Sequence, residues 1–366
     1  MMQDTKRMVF LDIAKGIGIL TVVWAHAKGP GSGYIYQFHM PFFFLVSGYL
    51  YRPEPSLREF ARRKVKSLYL PFVFWNLLAL FGKRAVGISH LPFAEMLQKA
   101  TEMVLALDKD GQFFGATWFL SALFWESIFY KALDQSMEKL RYRRAWVTAI
   151  FLLGMAVGFG VDFPYMLSRN FVLGGFFAIG YAVRENQDRL KKFWNGKLAA
   201  VFGTVFLFLG HGSHADMGKN DYSSPIGFVA GALMASYAIL YAAQQFGRWQ
   251  ERICMTVRPM GMPDKAMKPF SAWKGYVLQA ARGICYLGKR SIDLVIWQFV
   301  AFRIVIVLQL FLDHKPVSLA EVLKYYPVYD VGNGWWMAYL VAGIFGSLLW
   351  GSLLRKGKEC VRFARA

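Results

Sequence analysis

Four side chains near the start of the chain are of types that do acid–base work: Asp12, Lys15, His26 and His39. Lys15 and His26 stand eleven residues apart. At about 100° per residue this spacing is three helical turns plus roughly 20°, so both fall on one face of a helix. Asp12 lies within roughly 40° of His26 on that face and, three residues before Lys15, is in reach of its ammonium. An imidazole titrates near neutrality and can take the proton of an attacking hydroxyl. At about 1.5 Å per residue, Asp12 is roughly 21 Å from His26 along the axis. Asp12 therefore cannot orient that ring, and any partner of His26 must come from another segment. His39 opens a second apolar stretch, Gln37-Phe38-His39-Met40-Pro41-Phe42-Phe43-Phe44-Leu45-Val46-Ser47-Gly48. Its Ser47-Gly48 pair is small enough to let another helix come close.

A second chemistry belongs to Arg58, Arg62, Arg63, Lys64 and Lys66, a cationic run able to bind phosphates as forks and point charges. Each group also has a plainer role. The cationic run is what topology signalling alone requires. Asp12 and Lys15 serve equally as a structural ion pair. His26 and His39 serve as polar residues at helix ends. Glu126 and Arg303 fall at mid-span depth, Glu126 at about the level of Lys15, where the two can pair. His211, His214 and Asp216 form too sparse a set to specify a metal, and no metal is expected.

The elements that must position these groups are membrane helices. Of 366 residues, 56% are hydrophobic and 18% charged, against about 45–50% and about 25% in soluble domains. Ten apolar spans are predicted, at 9–28, 35–51, 67–86, 112–133, 145–162, 168–183, 198–211, 223–243, 291–312 and 334–354. The mixed segment 90–106 reads as an amphipathic helix at the interface. The fold class expected is all-α, a polytopic bundle forming one domain over 1–366. It carries a basic loop at 52–66 and a longer connection at 244–290, whose stretch Trp273 to Leu287 is suited to lie on a leaflet.

With the N-terminus in the cytoplasm, 32 of the 43 Lys and Arg fall in inside segments and nine in outside ones. This is the positive-inside bias, and an even span number puts both termini in the cytoplasm. The net charge of +20 is then explained by topology rather than by nucleic acid as a partner. His26 and His39 fall near the outer face, and the cationic run near the inner one. Asp12 and Lys15 inside the first span, and the poor cleavage context Ala25-His26-Ala27, argue that this span is retained. Cys254, Cys285 and Cys360 have no zinc or redox spacing and fall on the side where thiols stay reduced.

Several of these segments carry a family resemblance. Phe10-Leu11-Asp12-Ile13-Ala14-Lys15-Gly16-Ile17, with ten residues between Lys15 and the following His26, resembles the first helix of the acyltransferase-3 family of membrane O-acyltransferases. Phe38-His39-Met40-Pro41-Phe42-Phe43-Phe44 through Ser47-Gly48-Tyr49 is similar to its second-helix signature. Arg63 and Lys66 stand where the family often has two arginines, so fork-type binding at Lys66 is lost. Trp118-Phe119-Leu120-Ser121-Ala122-Leu123-Phe124 and Leu287-Gly288-Lys289-Arg290-Ser291-Ile292 look like further family segments. Many relatives have a histidine shortly after the latter. Gln298 stands there in this chain and is given no acid–base role.

The resemblance implies transfer of an acyl group, acetyl above all, from coenzyme A to a hydroxyl of a cell-surface or lipid-linked polysaccharide sugar. The closest subtype is the fucose-4-O-acetylase-like members. It implies His26 as general base, His39 as the group that orients the acceptor or shares the proton, and Arg62, Arg63, Lys64 and Lys66 as phosphate ligands of acetyl-CoA. Lys15, paired with Asp12, would neutralise charge where the donor enters the membrane. It further implies a bacterial cytoplasmic (inner) membrane protein in contact with lipid, a glycan acceptor and other polysaccharide-synthesis membrane proteins. The rival from another class is a transporter or flippase for a glycan precursor, with the polar stripe of the first span as its path. The absence of an internal repeat weighs against it.

Overall fold

The computed structural model describes residues 9–53, 56–106, 108–257 and 272–363. Helices make up most of it. In chain order they are α1 (Val9–His26), α2 (Ser32–Tyr36), α3 (His39–Tyr49), α4 (Leu57–Lys64), α5 (Leu70–Ala85), α6 (Phe93–Thr101), α7 (Trp118–Ser136), α8 (Arg143–Gly160), α9 (Leu167–Glu185), α10 (Gln187–Leu190), α11 (Gly196–Gly210), α12 (Pro225–Val257), α13 (Ala272–Lys289), α14 (Ser291–Leu312), α15 (Leu319–Lys324) and α16 (Trp335–Phe363). The strands described form one small hairpin, β1 (Ala215–Asp216) against β2 (Asp221–Tyr222), antiparallel with Ala215 opposite Tyr222.

Among the described residues, six helices are long and apolar enough to cross a bilayer. They are Val9–His26, Leu57–Ala85, Arg143–Gly160, Pro225–Gln250, Ser291–Leu312 and Gly332–Lys356. A seventh is added if Gln187–Phe193 and Gly196–Gly210, bent by 78°, count as one. The other predicted spans fall on α2 with α3, on α7 and on α9. Helices α7 and α9 have 19 residues each, about 28 Å. Their apolar character is diluted by Glu126, Lys131 and Asp134 in α7 and by Arg169 in α9, all buried against other helices.

The chain departs from the predicted elements at four places. The stretch 35–51 is not one helix: α2 ends at Tyr36 and α3 restarts at His39. Gln37 sits buried at the break and donates from Nε2 to the carbonyls of Gly210 and Ser213 (3.1 and 3.3 Å). Helix α3 has 11 residues, about 16 Å and so about half of the roughly 30 Å hydrocarbon core. The basic segment 52–66 is helical from Leu57 and runs through a π turn, Val65–Tyr69, into α5. In the connection 244–290, α12 continues to Val257 and α13 begins at Ala272, while the Arg258-Pro259 and Met262-Pro263-Asp264 turns lie outside the described residues. Helix α13 does not lie free on a leaflet, because it packs antiparallel along α1. A Cβ at Gly16 would meet the Ile284 carbonyl, and one at Gly288 the Asp12 carbonyl. Two glycines at one crossing let the backbones touch, which is how helices associate where no hydrophobic drive exists between them. Fourth, Glu126 does not pair with Lys15. It lies against Gly174 of α9, while Lys15 Nζ is 2.9 Å from Asp12 Oδ1.

Helix α3 sits at the centre. It is apolar on all sides, so all of it is buried except Ser47 and Tyr49. Pro41 falls in its first turn, where a missing N–H is tolerated. The second glycine crossing brings α3 against α9: Gly48 meets the Phe177 carbonyl and Gly180 the Leu45 carbonyl. Helices α1, α9 and α12 flank α3, while α14 packs on α1 and α16. The segment 90–106 contains α6, whose Met96 and Ala100 cover Leu80 of α5 while Phe93 and Leu97 stay exposed. Buried Arg303 of α14 donates from Nη1 to the carbonyls of Val322 (3.0 Å) and Tyr325, and from Nη2 to that of Gln112 (2.5 Å). One guanidinium thus ties two connecting segments over the same end of the bundle. Cys285 is a free, buried thiol, and the side chains of Cys254 and Cys360 lie outside the described residues.

Candidate active site

His26 is the last residue of α1 and His39 the first of α3. The break between α2 and α3 brings their rings together, with centroids 6.4 Å apart and edge-on. Both line one cleft of about 630 Å³, with Tyr36, Met40, Phe43, Trp118, Phe119, Val295 and the hairpin residues Asp216, Met217 and Gly218. Phe299 packs on the His26 ring at 4.9 Å. Tyr36 donates its hydroxyl to the Ala25 carbonyl (3.1 Å), fastening α2 to the end of α1.

Both imidazoles are placed to donate from Nδ1 and, in their neutral form, to keep a lone pair on Nε2. His26 Nδ1 is 3.0 Å from Gln298 Oε1. An amide oxygen only accepts, so Nδ1 carries the hydrogen and Nε2 keeps its lone pair. The other end of the Gln298 amide is consistent with this, since its Nε2 faces the Val295 carbonyl at 3.5 Å. Gln298 is fully buried, so water does not compete for that oxygen. His39 Nδ1 donates to the Ile35 carbonyl (2.8 Å), which likewise leaves its Nε2 with a lone pair. A base held by its second nitrogen is the arrangement that activates a hydroxyl in nucleophile–base–orienter sets.

A second cleft, of about 760 Å³, opens beside the other end of α3. Arg52, Arg63, Lys64, Ser47, Tyr51, Phe60 and Phe177 line it. The structure therefore gathers Arg63 and Lys64 with Arg52, a residue not singled out from the sequence. Arg62 and Lys66 are exposed and do not line this cleft. His39, Phe43 and Ser47 follow one another at four-residue intervals along α3, a single face. The first two border the histidine cleft and Ser47 the cationic one. Eight residues separate His39 from Ser47, roughly 12 Å along the axis, with Phe43 against Phe119 in between (5.6 Å). A larger, mainly apolar cleft of about 970 Å³, bounded by Leu11, Leu45, Leu240 and Trp194, contains neither histidine.

Asp12 and Lys15 are not brought to the histidines. They form their own pair three residues apart, beneath the Gly288 crossing, and Lys15 is roughly 17 Å from His26 along α1. His214 pairs with Asp221 at 3.3 Å and His211 Nδ1 lies 3.3 Å from the Tyr34 hydroxyl, both exposed. Among the described residues no group of three or more His, Cys, Asp or Glu is placed to hold a metal. Sequence reasoning missed Gln298, Tyr36, Trp118 and Asp216 as neighbours of His26. Gln298 stood where many relatives have a histidine, and Tyr36 stood three residues from His39. Those were the signals available. Asp216 carried none beyond its place near His214.

Residues 8–262 match the family model described as Acyltransferase domain, Acyl_transf_3. The match covers well over half of the chain, and the chain belongs to that family. No curated protein and no solved structure matches it.

Proposed function

From its membership of the acyltransferase family, we propose that this protein is an integral-membrane O-acyltransferase of the bacterial cytoplasmic membrane. It moves an acyl group, acetyl in the ordinary case, from acyl-CoA to a hydroxyl of a cell-surface or lipid-linked polysaccharide sugar. The observation that carries the reading is His26, an imidazole locked by Gln298 with its basic nitrogen free in a cleft shared with His39. A metal plays no part in it. The bundle crosses the bilayer about ten times with both termini in the cytoplasm, so the cationic cleft faces cytosolic acyl-CoA and the histidine cleft faces the acceptor.

In this reading the coenzyme A phosphates rest against Arg63, Lys64 and Arg52. Exposed Arg62 and Lys66 add long-range attraction. The thioester arm runs along the His39-Phe43-Ser47 face of α3. His26 Nε2 takes the proton of the acceptor hydroxyl as its oxygen attacks the thioester carbonyl. A C–O bond forms and the C–S bond breaks. The proton then passes from His26 to the departing thiolate, so coenzyme A leaves as the thiol. His39 Nε2 accepts a hydrogen bond from a neighbouring acceptor hydroxyl and orients it. Lys15, at the donor end of α1 and held in place by Asp12, offsets negative charge of the entering donor.

The test is acyl transfer by the purified protein in proteoliposomes, with thiol release and acceptor mass followed together. Acceptor acylation in step with thiol release supports the reading. Glycan accumulation without thiol release would instead indicate a transporter. The double variant Arg63→Ala/Lys64→Ala is expected to raise KM for acyl-CoA about 10-fold or more while kcat changes little. Two charge-assisted contacts are lost, far from the reacting atoms. An unchanged KM would remove the cationic cleft from the account.

A further inference from the structure

Arg169, in the first turn of α9, is a buried charge that the proposed mechanism does not use. Its residue is only 5% exposed, and neither Nε nor Nη1 has a hydrogen-bond partner. A buried guanidinium with two unpaired nitrogens is costly and calls for a ligand or a reason. It is held by stacking, its Cζ lying 4.2 Å from the centroid of the Trp118 ring. Trp118 lines the histidine cleft.

Two more unpaired polar atoms lie close by. The hydroxyl of Tyr222 and the Oδ1 of Asn220 are buried and without partners. Both residues belong to the limb of the hairpin opposite Asp216, Met217 and Gly218, which line the same cleft. Burial raises the Tyr222 phenol well above its ordinary value, with Asp216 adding to the rise and Arg169 opposing it, so its hydroxyl stays a donor. Asn220 is oriented by donation from Nδ2 to the Gly158 carbonyl (3.0 Å). Lys109 is a second cation near Arg169. Burial, and then repulsion by Arg169, pull its ammonium below the ordinary value, while Asp108 opposes this. Exposed Asp108 is not within ion-pair distance of Arg169.

We propose that Arg169 and Tyr222 form an oxyanion-binding subsite next to the His26 cleft, so that the acceptor carries a carboxylate or phosphate group beside the hydroxyl that is acylated. An Arg fork stacked on an indole matches the planar geometry of either group. Asp216, a carboxylate on the histidine side of the hairpin, repels an anion there and directs the charged group toward Arg169. The shared chemistry is an oxyanion. Its source is either a sugar acid or the diphosphate of a lipid-linked sugar. The inference rests on the acyltransferase reading only for the word acceptor, because anion binding can be measured without turnover.

The experiment is thermal unfolding of the purified full-length protein with methyl glucuronoside, inorganic pyrophosphate or neutral methyl glucoside, on wild type, Arg169→Gln and Tyr222→Phe. At least one anion is expected to raise the wild-type Tm in a saturable way, and the neutral glycoside is not. Arg169→Gln should weaken that binding at least about 10-fold, the loss of a charge-assisted contact. Tyr222→Phe, which keeps the ring packing, should weaken it by less. A response to glucuronoside alone identifies a sugar acid, and one to pyrophosphate alone a lipid-linked diphosphate. Equal responses in wild type and Arg169→Gln, or no anion response in wild type, overturn the proposal. Should Arg169→Gln fail to fold, loss of binding in Tyr222→Phe still supports it, and undiminished binding there overturns it. Absence of acyl transfer alongside intact anion binding would count against the enzymatic reading alone.

Discussion

His26→Ala is expected to lower the rate of acyl transfer about 10³-fold while the protein still inserts and folds. A positioned general base contributes about 10² to 10⁴ in rate. In the proposed mechanism the base is the imidazole anchored by a buried amide, so its loss should remove the proton acceptor and leave binding intact. The structural cost is small. His26 ends α1 rather than standing within it, and among the described residues its ring has one polar contact, to Gln298. Losing that contact strands one amide oxygen, about 1–3 kcal/mol. His26→Gln separates the two effects, because it restores an N–H able to reach Gln298 yet supplies no base. Its stability should approach wild type and its kcat should match that of His26→Ala. A kcat within about threefold of wild type in either variant would end the role assigned to His26.

Gln298→Leu is the second large effect, an expected fall of about 100-fold in kcat. Leucine keeps the volume and the apolar packing but offers nothing to His26 Nδ1–H. The ring is then free to rotate or to carry its proton on Nε2, and either change removes the lone pair from the cleft. KM for acyl-CoA should stay near wild type, since the cationic cleft lies at the far end of α3. Gln298→Glu keeps an acceptor at the same position and should retain most activity. Steady-state kinetics on the two variants decides. Equal losses in Leu and Glu would point to disturbed packing around a fully buried site rather than to ring orientation.

The residues that could be read in advance and those that could not differ in physical kind. The placement of His26 against Lys15 and Asp12 follows from helical geometry within one segment. The common level of His26 and His39 follows from short connections between neighbouring spans. Gln298 is 272 residues away from its partner. No local periodicity reports a contact of that range, and a glutamine within an apolar helix does not say which ring it serves. The pairing of α13 with α1 was hidden for a related reason. Lys274, Arg282 and Lys289 make the segment look like a surface helix, and the docking depends on the paired Gly16 and Gly288. Gln37 ends one helix before another begins because its amide is taken by carbonyls at and just beyond the end of α11, which a window over 35–51 does not contain. The charge of the basic segment 52–66 suggests a loop, yet most of Leu57 to Lys64 are good helix formers and the helix continues through the π turn into α5.

Transfer from a cytosolic donor to an outer acceptor requires the two clefts to open to opposite sides of the bilayer. The direct measurement is labelling with a membrane-impermeant maleimide, applied to intact cells carrying single cysteines in a background freed of Cys254, Cys285 and Cys360. Lys28→Cys, an exposed position two residues beyond His26, should react from outside. Arg62→Cys, exposed beside the cationic cleft, should react only after permeabilisation. Reaction of both from the same side would contradict transfer from a cytosolic donor to an acceptor across the membrane.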